Sequence, residues 1–83
     1  MYNKIIHKDM VILLMKTYVD MIRELREDRD LSQKQLAIIL GTTQQMYSRY
    51  ENGENELPLR HLITLCNFYG VSADYILCIE SKT

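Results

Sequence analysis

Apolar residues recur at spacings of three and four along almost the whole chain, and this periodicity predicts helices instead of strands. The longest apolar stripe lies in residues 9–27, where charged residues separate its members, and it predicts one amphipathic helix. No strand-like alternation, internal repeat, low-complexity tract or linker rich in proline and glycine interrupts the stripes. The sequence therefore predicts an all-α protein.

Residues that start and end helices divide the remainder of the chain. Serine and threonine favour the N-cap position, proline fits the first turn, and glycine readily adopts the left-handed conformation that closes a helix. The predicted start and end residues are, in chain order, Ser32 and Gly41, Thr42 or Thr43 and Gly53, Pro58 and Gly70, and Ser72 at the start of the last helix. Five helices result. The third spans residues 44–52 and is predicted to turn Tyr47 and Tyr50 inward.

The length of 83 residues predicts one small domain, which is marginally stable alone and can gain stability by dimerising. Its 10 basic and 11 acidic residues give a net charge of −1, unlike the strongly basic balance of a non-specific nucleic-acid coat. The longest apolar run, residues 11–15, is far shorter than the roughly 20 residues of a membrane span. That run also lacks the cleavage site of a signal peptide, so we expect a cytoplasmic protein with no membrane partner.

The cysteines and histidines give no indication of catalytic or metal chemistry. Cys66 and Cys78 lie in apolar segments and are predicted to be core thiols, because thiols in a reducing cytosol are more often packing residues than a bridge. His7 and His61 lack a metal-binding spacing and are predicted to lie on the surface. With no nucleophile–base pair and no glycine-rich phosphate loop, the sequence predicts no enzyme, and no metal, cofactor or small-molecule substrate.

One face of the third predicted helix carries several polar side chains. Gln44 and Ser48 are four residues apart, as are Gln45 and Arg49, so amide, hydroxyl and guanidinium groups share one side. Glutamine can pair with adenine N6 and N7, and arginine with guanine O6 and N7, which is the chemistry of major-groove recognition. A polar helix face is more often merely solvated, so these residues alone leave both interpretations open.

Four segments follow one another in a characteristic order and spacing: residues 32–37 (SQKQLA), 41–45 (GTTQQ), 48–53 (SRYENG) and 70–77 (GVSADYIL). Together they resemble the Cro/C1-type (XRE) family of helix-turn-helix proteins, and residues 41–45 are most similar to the lambdoid phage repressors. The resemblance covers residues 18–79. It implies a five-helix lambda-repressor-like DNA-binding domain with an extended N-terminal helix. An N-terminal extension over residues 1–17, helical from about residue 9, precedes this domain, and a tail over 80–83 follows it.

The resemblance also implies which residues contact DNA and which hold the domain together. The residues placed at base edges are Thr43, Gln44, Gln45, Ser48 and Arg49, and those placed at phosphates are Gln33, Lys34, Thr42, Asn52 and Asn55. Thr43 would also cap the recognition helix, Gln44 would read adenine, and Arg49 would read guanine or bind a phosphate. Arg26 and Glu51 match the family's internal ion pair, which ties the first helix to the end of the third.

An isoleucine pair and the N-terminal extension depart from the family pattern. Ile38 and Ile39 are apolar at positions that are usually polar, and residues 1–17 extend beyond the pattern. We hypothesise that the extension packs on this pair, in the same chain or in a partner chain. An alternative is that translation starts at a later methionine and shortens the extension; the candidates are Met10, Met15 and Met21.

The resemblance implies a sequence-specific, double-stranded DNA-binding transcriptional regulator that is repressor-like and acts as a homodimer through its helix-turn-helix. The loop after the third helix carries two acids, Glu54 and Glu56, where relatives often carry bases, which predicts weaker or more dimer-dependent DNA binding. The acidic loop also leaves an alternative open. This is a protein-interaction module, such as an antitoxin or adaptor, that retains the fold and binds a protein partner.

Overall fold

Five α-helices joined by short connections make up most of residues 16–79, the part of the chain that this computed structural model describes. They are α1 (Tyr18–Asp28), α2 (Gln33–Leu40), α3 (Gln44–Glu51), α4 (Leu59–Tyr69) and α5 (Ala73–Leu77). No strand occurs in these residues, which confirms the all-α, five-helix prediction, and none of the five helices is long and apolar enough to cross a bilayer. The predicted helix over residues 9–15, the packing of the extension on Ile38 and Ile39, and the tail at 80–83 lie outside the described residues.

Helix α1 begins at Tyr18 because Thr17 is its N-cap. Thr17 is extended, with φ −116° and ψ 173°, and its backbone N–H donates to Oδ2 of Asp20 at 3.1 Å. This corrects the prediction of one continuous helix over residues 9–27, since a helix cannot run through an extended residue. The apolar stripe continues across this point, but a threonine with an acid three residues later is the stronger local signal, because it marks a helix start.

Capping residues shape the turn between α2 and α3. The Ser32 hydroxyl accepts a hydrogen bond from the Gln35 backbone at 3.0 Å, and the Gln35 side chain accepts one from the Ser32 backbone at 2.8 Å. Gly41 ends α2 with φ +71°, a left-handed conformation that glycine adopts at little cost. Thr43 then accepts from the backbone of Met46 at 3.1 Å and starts α3. These contacts confirm the predicted helix boundaries to within one residue.

The core lies where the five helices meet. One side chain from each helix is fully enclosed, with 0% exposure: Ile22, Leu36, Tyr47, Leu65 and Ile76. The Tyr47 ring meets the Tyr50 ring edge-on, with centroids 6.4 Å apart, so both tyrosines face inward as predicted. The inner face of α3 is therefore anchored in the core, which leaves its opposite face at the surface.

The prediction that His61 lies on the surface is wrong. His61 is only 5% exposed, because its ring packs on the Tyr50 ring with centroids 5.7 Å apart. Helix α4 thus turns a face containing His61 and Leu62 towards the core. Leu59 and Ile63, two apolar residues of the same helix, are exposed instead.

The two thiols differ in their surroundings. Cys66 is partly buried and packs against the core as predicted, whereas Cys78 is exposed and its assignment to the core is wrong. Cys78 is the C-cap of α5 and adopts a left-handed conformation with φ +59°. It therefore lies beyond the last helical turn, where the helical periodicity no longer applies. Two apolar residues of the last predicted helix, Tyr75 and Ile79, are also exposed.

Burial lowers the pKa of His61 below its ordinary value of 6.5, and the neighbouring Arg60 lowers it further. The unfolded state then binds the proton more readily, so titration of His61 leaves the unfolding free energy unchanged above pH 6.5 and lowers it as the pH drops below that value. Replacing His61 by phenylalanine, which keeps an aromatic ring but cannot titrate, should reduce this loss between about pH 7 and pH 5. Urea titrations of both proteins at the two pH values provide the test. An equal loss in both would contradict it.

Candidate nucleic-acid interface

The outer edge of α3 lines an open groove. The groove has a volume of about 600 Å³ and is lined by Gln33, Gln44, Gln45, Ser48, Arg49, Asn52 and Glu54. Helix α3 supplies four of these residues, the start of α2 supplies one, and the segment directly after α3 supplies two. Amides, a hydroxyl and two charged groups dominate this surface, so it is suited to hydrogen bonding with a polar ligand.

Four of the five residues predicted to contact bases lie together in this groove. Gln44 and Gln45, in the first turn of α3, are exposed, and Ser48 and Arg49, one turn later, are partly exposed. Thr43 is exposed but does not line the groove, and its hydroxyl already accepts the capping hydrogen bond. Thr43 therefore orients the helix that carries the other four residues.

The residues predicted to contact phosphates are more dispersed. Gln33 and Asn52 line the groove, at the start of α2 and just after α3. Lys34 and Asn55 are exposed and Thr42 is partly buried, and these three lie outside the groove lining. The structure thus brings two of the five next to the predicted base-contacting edge.

An ion pair fixes α3 relative to α1. Nε of Arg26 donates to Oε2 of Glu51 at 2.7 Å, and Nη2 donates to Oε1 at 3.0 Å. The two side chains are 14% and 1% exposed, so this bidentate pair is largely shielded from water. Nη1 of Arg26 also donates to the backbone carbonyl of Leu31 at 2.9 Å, which adds the segment before α2 to the same network. The end of α3 is therefore fixed to α1 and, through Arg26, to the segment before α2.

Glu51 remains ionised although it is buried. Burial raises the pKa of its carboxyl, but hydrogen bonds from Arg26 and Gln33 outweigh burial, so the pKa lies below its ordinary value. Conversely, the hydrogen bond to Glu51 raises the pKa of Arg26. Nε2 of Gln33 donates to Oε1 of Glu51 at 3.1 Å, which engages part of the amide that was predicted to hold a phosphate.

Sequence reasoning missed Arg23 as a member of this network. Its Nη2 donates to the backbone carbonyl of Glu51 at 2.6 Å, and this bond satisfies a carbonyl at the C-terminal end of α3. Arg23 precedes Arg26 by three residues in one helix, so the two share a face. That spacing is the signal that could have identified Arg23.

Arg49 and Glu54 are the two charged residues among those that line the groove. Nε of Arg49 lies 3.9 Å from Oε1 of Glu54, and the side chains are 42% and 60% exposed. Glu56, the other acid of this loop, contributes instead to a smaller hollow, together with Tyr18 and Leu57 among other residues. The two acids that the sequence groups in one loop therefore have different surroundings.

Comparisons with known proteins assign the fold. A family model described as helix-turn-helix matches residues 22–76. The chain is 39% identical over 56 residues to YonR, an uncharacterized HTH-type transcriptional regulator from the SPbeta prophage of Bacillus subtilis strain 168. That match covers 68% of this chain and 52% of YonR, so the chain spans about half the length of this relative.

Two solved structures have the same arrangement of helices. A transcriptional regulator from Listeria innocua is similar with a TM-score of 0.75 and 19% identity, over 81% of this chain and 63% of that protein. The P22 c2 repressor, solved in complex with a synthetic operator, is similar with a TM-score of 0.69 and 25% identity, over 76% of this chain and 96% of that protein. The chain belongs to the helix-turn-helix family of the Cro/C1 (XRE) type.

Proposed function

We propose that this chain is the DNA-binding part of a cytoplasmic, repressor-like transcription regulator that recognises a specific site on double-stranded DNA. The main support is the polar groove along the outer edge of α3, which holds Gln44, Gln45, Ser48 and Arg49 together on one exposed surface. The major groove of DNA admits an α-helix, and these side chains are suited to pairing with base edges. The similarity to a repressor solved with its operator supports the same interpretation.

Residues along the outer edge of α3 would contact bases, and residues around that edge would contact phosphates. Gln44, at the start of α3, pairs with adenine, and Arg49, one turn later, pairs with guanine or a phosphate. Gln45 and Ser48 complete the edge within the groove, and Thr43 adds a base contact from outside the groove lining, at the start of α3. Phosphate contacts come from Gln33 and Asn52, which line the groove, and from Lys34, Thr42 and Asn55, which lie outside its lining.

The regulator acts as a homodimer on a two-fold symmetric operator. In helix-turn-helix dimers each copy places one recognition helix in the major groove, so half-sites lie about 34 Å, or one helical turn, apart. Occupancy of the operator then blocks or recruits the transcription machinery. No catalytic step is required.

Alanine at Gln44 or Arg49 should each cost about 1–3 kcal/mol of discrimination between the preferred site and a mismatched one. Selection of bound duplexes from a random pool at moderate salt first identifies the site, which should be palindromic with adenine opposite Gln44. Titration of the wild type and both variants on matched and mismatched duplexes then measures the loss. Matched controls are Asn67→Ala and Arg60→Ala, two exposed positions of α4 outside the groove. No enrichment even at low salt would contradict the proposal.

A second candidate is a protein-interaction module with the same fold, such as an antitoxin or adaptor. The observation that favours it is Ile38, which is 70% exposed on α2, beside the partly buried Ile39. Apolar side chains at the surface are typical of protein contacts when they form a patch. This candidate predicts that alanine at Gln44 or Arg49 leaves partner binding unchanged.

A further inference from the structure

The groove along α3 is electrically neutral because its one basic side chain faces an acidic one. Five of the seven lining residues are uncharged, and the remaining two are Arg49 and Glu54. Nε of Arg49 lies 3.9 Å from Oε1 of Glu54. A surface that binds phosphates ordinarily carries unpaired positive charge, so an acid at this point opposes DNA binding.

Backbone hydrogen bonds hold Glu54 in the groove. The chain turns back after α3 at Gly53, which has φ +76°, a conformation that favours glycine. The backbone N–H groups of Glu54 and Asn55 then both donate to the carbonyl of Arg49, at 2.9 and 3.3 Å. The backbone of residue 54 is therefore tied to the same residue whose guanidinium its carboxylate faces.

We propose that Glu54 is a specificity-determining residue, which lowers affinity for random DNA more than affinity for the operator. The inference rests on the proposed function. Non-specific binding depends almost entirely on phosphate contacts, and Glu54 both repels phosphates and competes with them for Arg49. Both effects lower the affinity for DNA of any sequence.

At the operator, a contact between Arg49 and a base offsets part of the affinity that the Glu54 carboxylate costs. Arg49 faces Glu54 through Nε, so its two Nη groups are the part of the guanidinium that remains for a base edge. Two Nη donors match the O6 and N7 acceptors of guanine, and the attraction of a carboxylate 3.9 Å from Nε favours an orientation that leaves both Nη groups available for that pairing. A random duplex places another base opposite Arg49 in most binding registers, so on average it gains less from this orientation than the operator does.

Glu54→Gln is the test, and Glu56→Gln is its matched control. The control makes the same change of charge two residues away, outside the groove lining. Affinities are measured for the selected operator and for a random duplex between 50 and 200 mM salt. Glu54→Gln should steepen the salt dependence on random DNA by up to about 0.9, which corresponds to releasing one more counterion. The gain in affinity should then be about three to four times larger at 50 mM than at 200 mM.

In Glu54→Gln, affinity for the operator should rise less than affinity for random DNA, so the ratio of operator to random-DNA affinity should fall. Glu56→Gln should leave this ratio unchanged. In an Arg49→Ala background, Glu54→Gln should change the ratio of the two affinities much less, because Glu54 then has no arginine to orient or sequester and its repulsion of phosphates weakens binding to both duplexes. Equal behaviour of the two glutamine variants would overturn the role of Glu54 and leave the proposed function intact. A wild type that selects no operator would overturn the proposed function itself, and this inference with it.

Discussion

Arg26→Ala should lower the free energy of unfolding by about 3–5 kcal/mol, since it leaves the buried Glu51 carboxylate without its main partner. Glu51 is 1% exposed and takes two hydrogen bonds from Arg26, at 2.7 and 3.0 Å. Two other groups stay near the same carboxylate: Gln33 keeps its hydrogen bond at 3.1 Å but cannot neutralise it, and Nε of the more exposed Arg23, 4.0 Å from Oε1, offsets only part of its charge. A domain of 83 residues has about 4–12 kcal/mol of stability in total, so the variant should lose a large part of it. Urea unfolding followed by circular dichroism measures the change.

Two further variants show whether the loss of stability comes from breaking the ion pair or from removing any positive charge. Arg60→Ala removes an exposed arginine and should change stability by no more than about 0.5 kcal/mol. Arg26→Met combined with Glu51→Met removes both charges, so it should be far more stable than Arg26→Ala. A loss below about 1 kcal/mol for Arg26→Ala would contradict a structural role for the pair.

The pH dependence gives an independent check on Glu51. Its pKa in the folded protein lies below the ordinary value of 4.5, so it stabilises the fold above pH 4.5 and loses this effect as the pH falls through the folded-state pKa. In Arg26→Ala the carboxylate is protonated more readily. The stability difference between wild type and Arg26→Ala should therefore shrink as the pH drops below about 4.5.

DNA binding should respond differently to Arg26 and Arg49. Arg26 is partly buried and does not line the groove, so binding by its variant should follow the folded fraction. Arg49 lies in the groove, and its loss should weaken binding while the protein stays folded. Comparing affinity with the folded fraction distinguishes a residue that positions α3 from one that makes the proposed DNA contact.

Local chemistry made the helix boundaries predictable from the sequence. A cap such as Ser32 or Thr43 acts on a backbone N–H three residues away, so its signal lies within one turn of the chain. Gly41 likewise ends α2 through its own backbone preference, with φ +71°. The same holds at Thr17, where the local cap, and not the apolar stripe that continues through it, sets the start of α1.

Packing between distant segments was less predictable. His61 is buried because the ring of Tyr50, on another helix, covers it, and no pattern within α4 indicates that contact. By contrast, the polar edge of α3 could be predicted from the sequence, because a spacing of four residues places Gln44 beside Ser48 on one helix face. The contact of Glu54 with Arg49 depends on the turn at Gly53 and became visible only in three dimensions.

Leu36→Ala should lower the free energy of unfolding by about 2–5 kcal/mol, because it opens a cavity where α2 packs within the core. Leu36 is 0% exposed, whereas Ile38, two residues later on the same helix, is 70% exposed. Ile38→Ala is therefore the matched control and should change the stability of a single chain by no more than about 0.5 kcal/mol. Thermal unfolding provides the measurement, and each kcal/mol should shift the midpoint by roughly 4–8 °C.

The control also tests what Ile38 does. If a second copy of the chain covers Ile38, the Ile38→Ala protein should lose stability only at concentrations where the wild type is dimeric, since association stabilises the folded state by mass action. Leu36→Ala should instead destabilise at every concentration, because its effect lies within one chain. If both variants lost the same free energy of unfolding at low concentration, the difference in burial between Leu36 and Ile38 would be contradicted. Ile38 would then belong to the core of the folded chain.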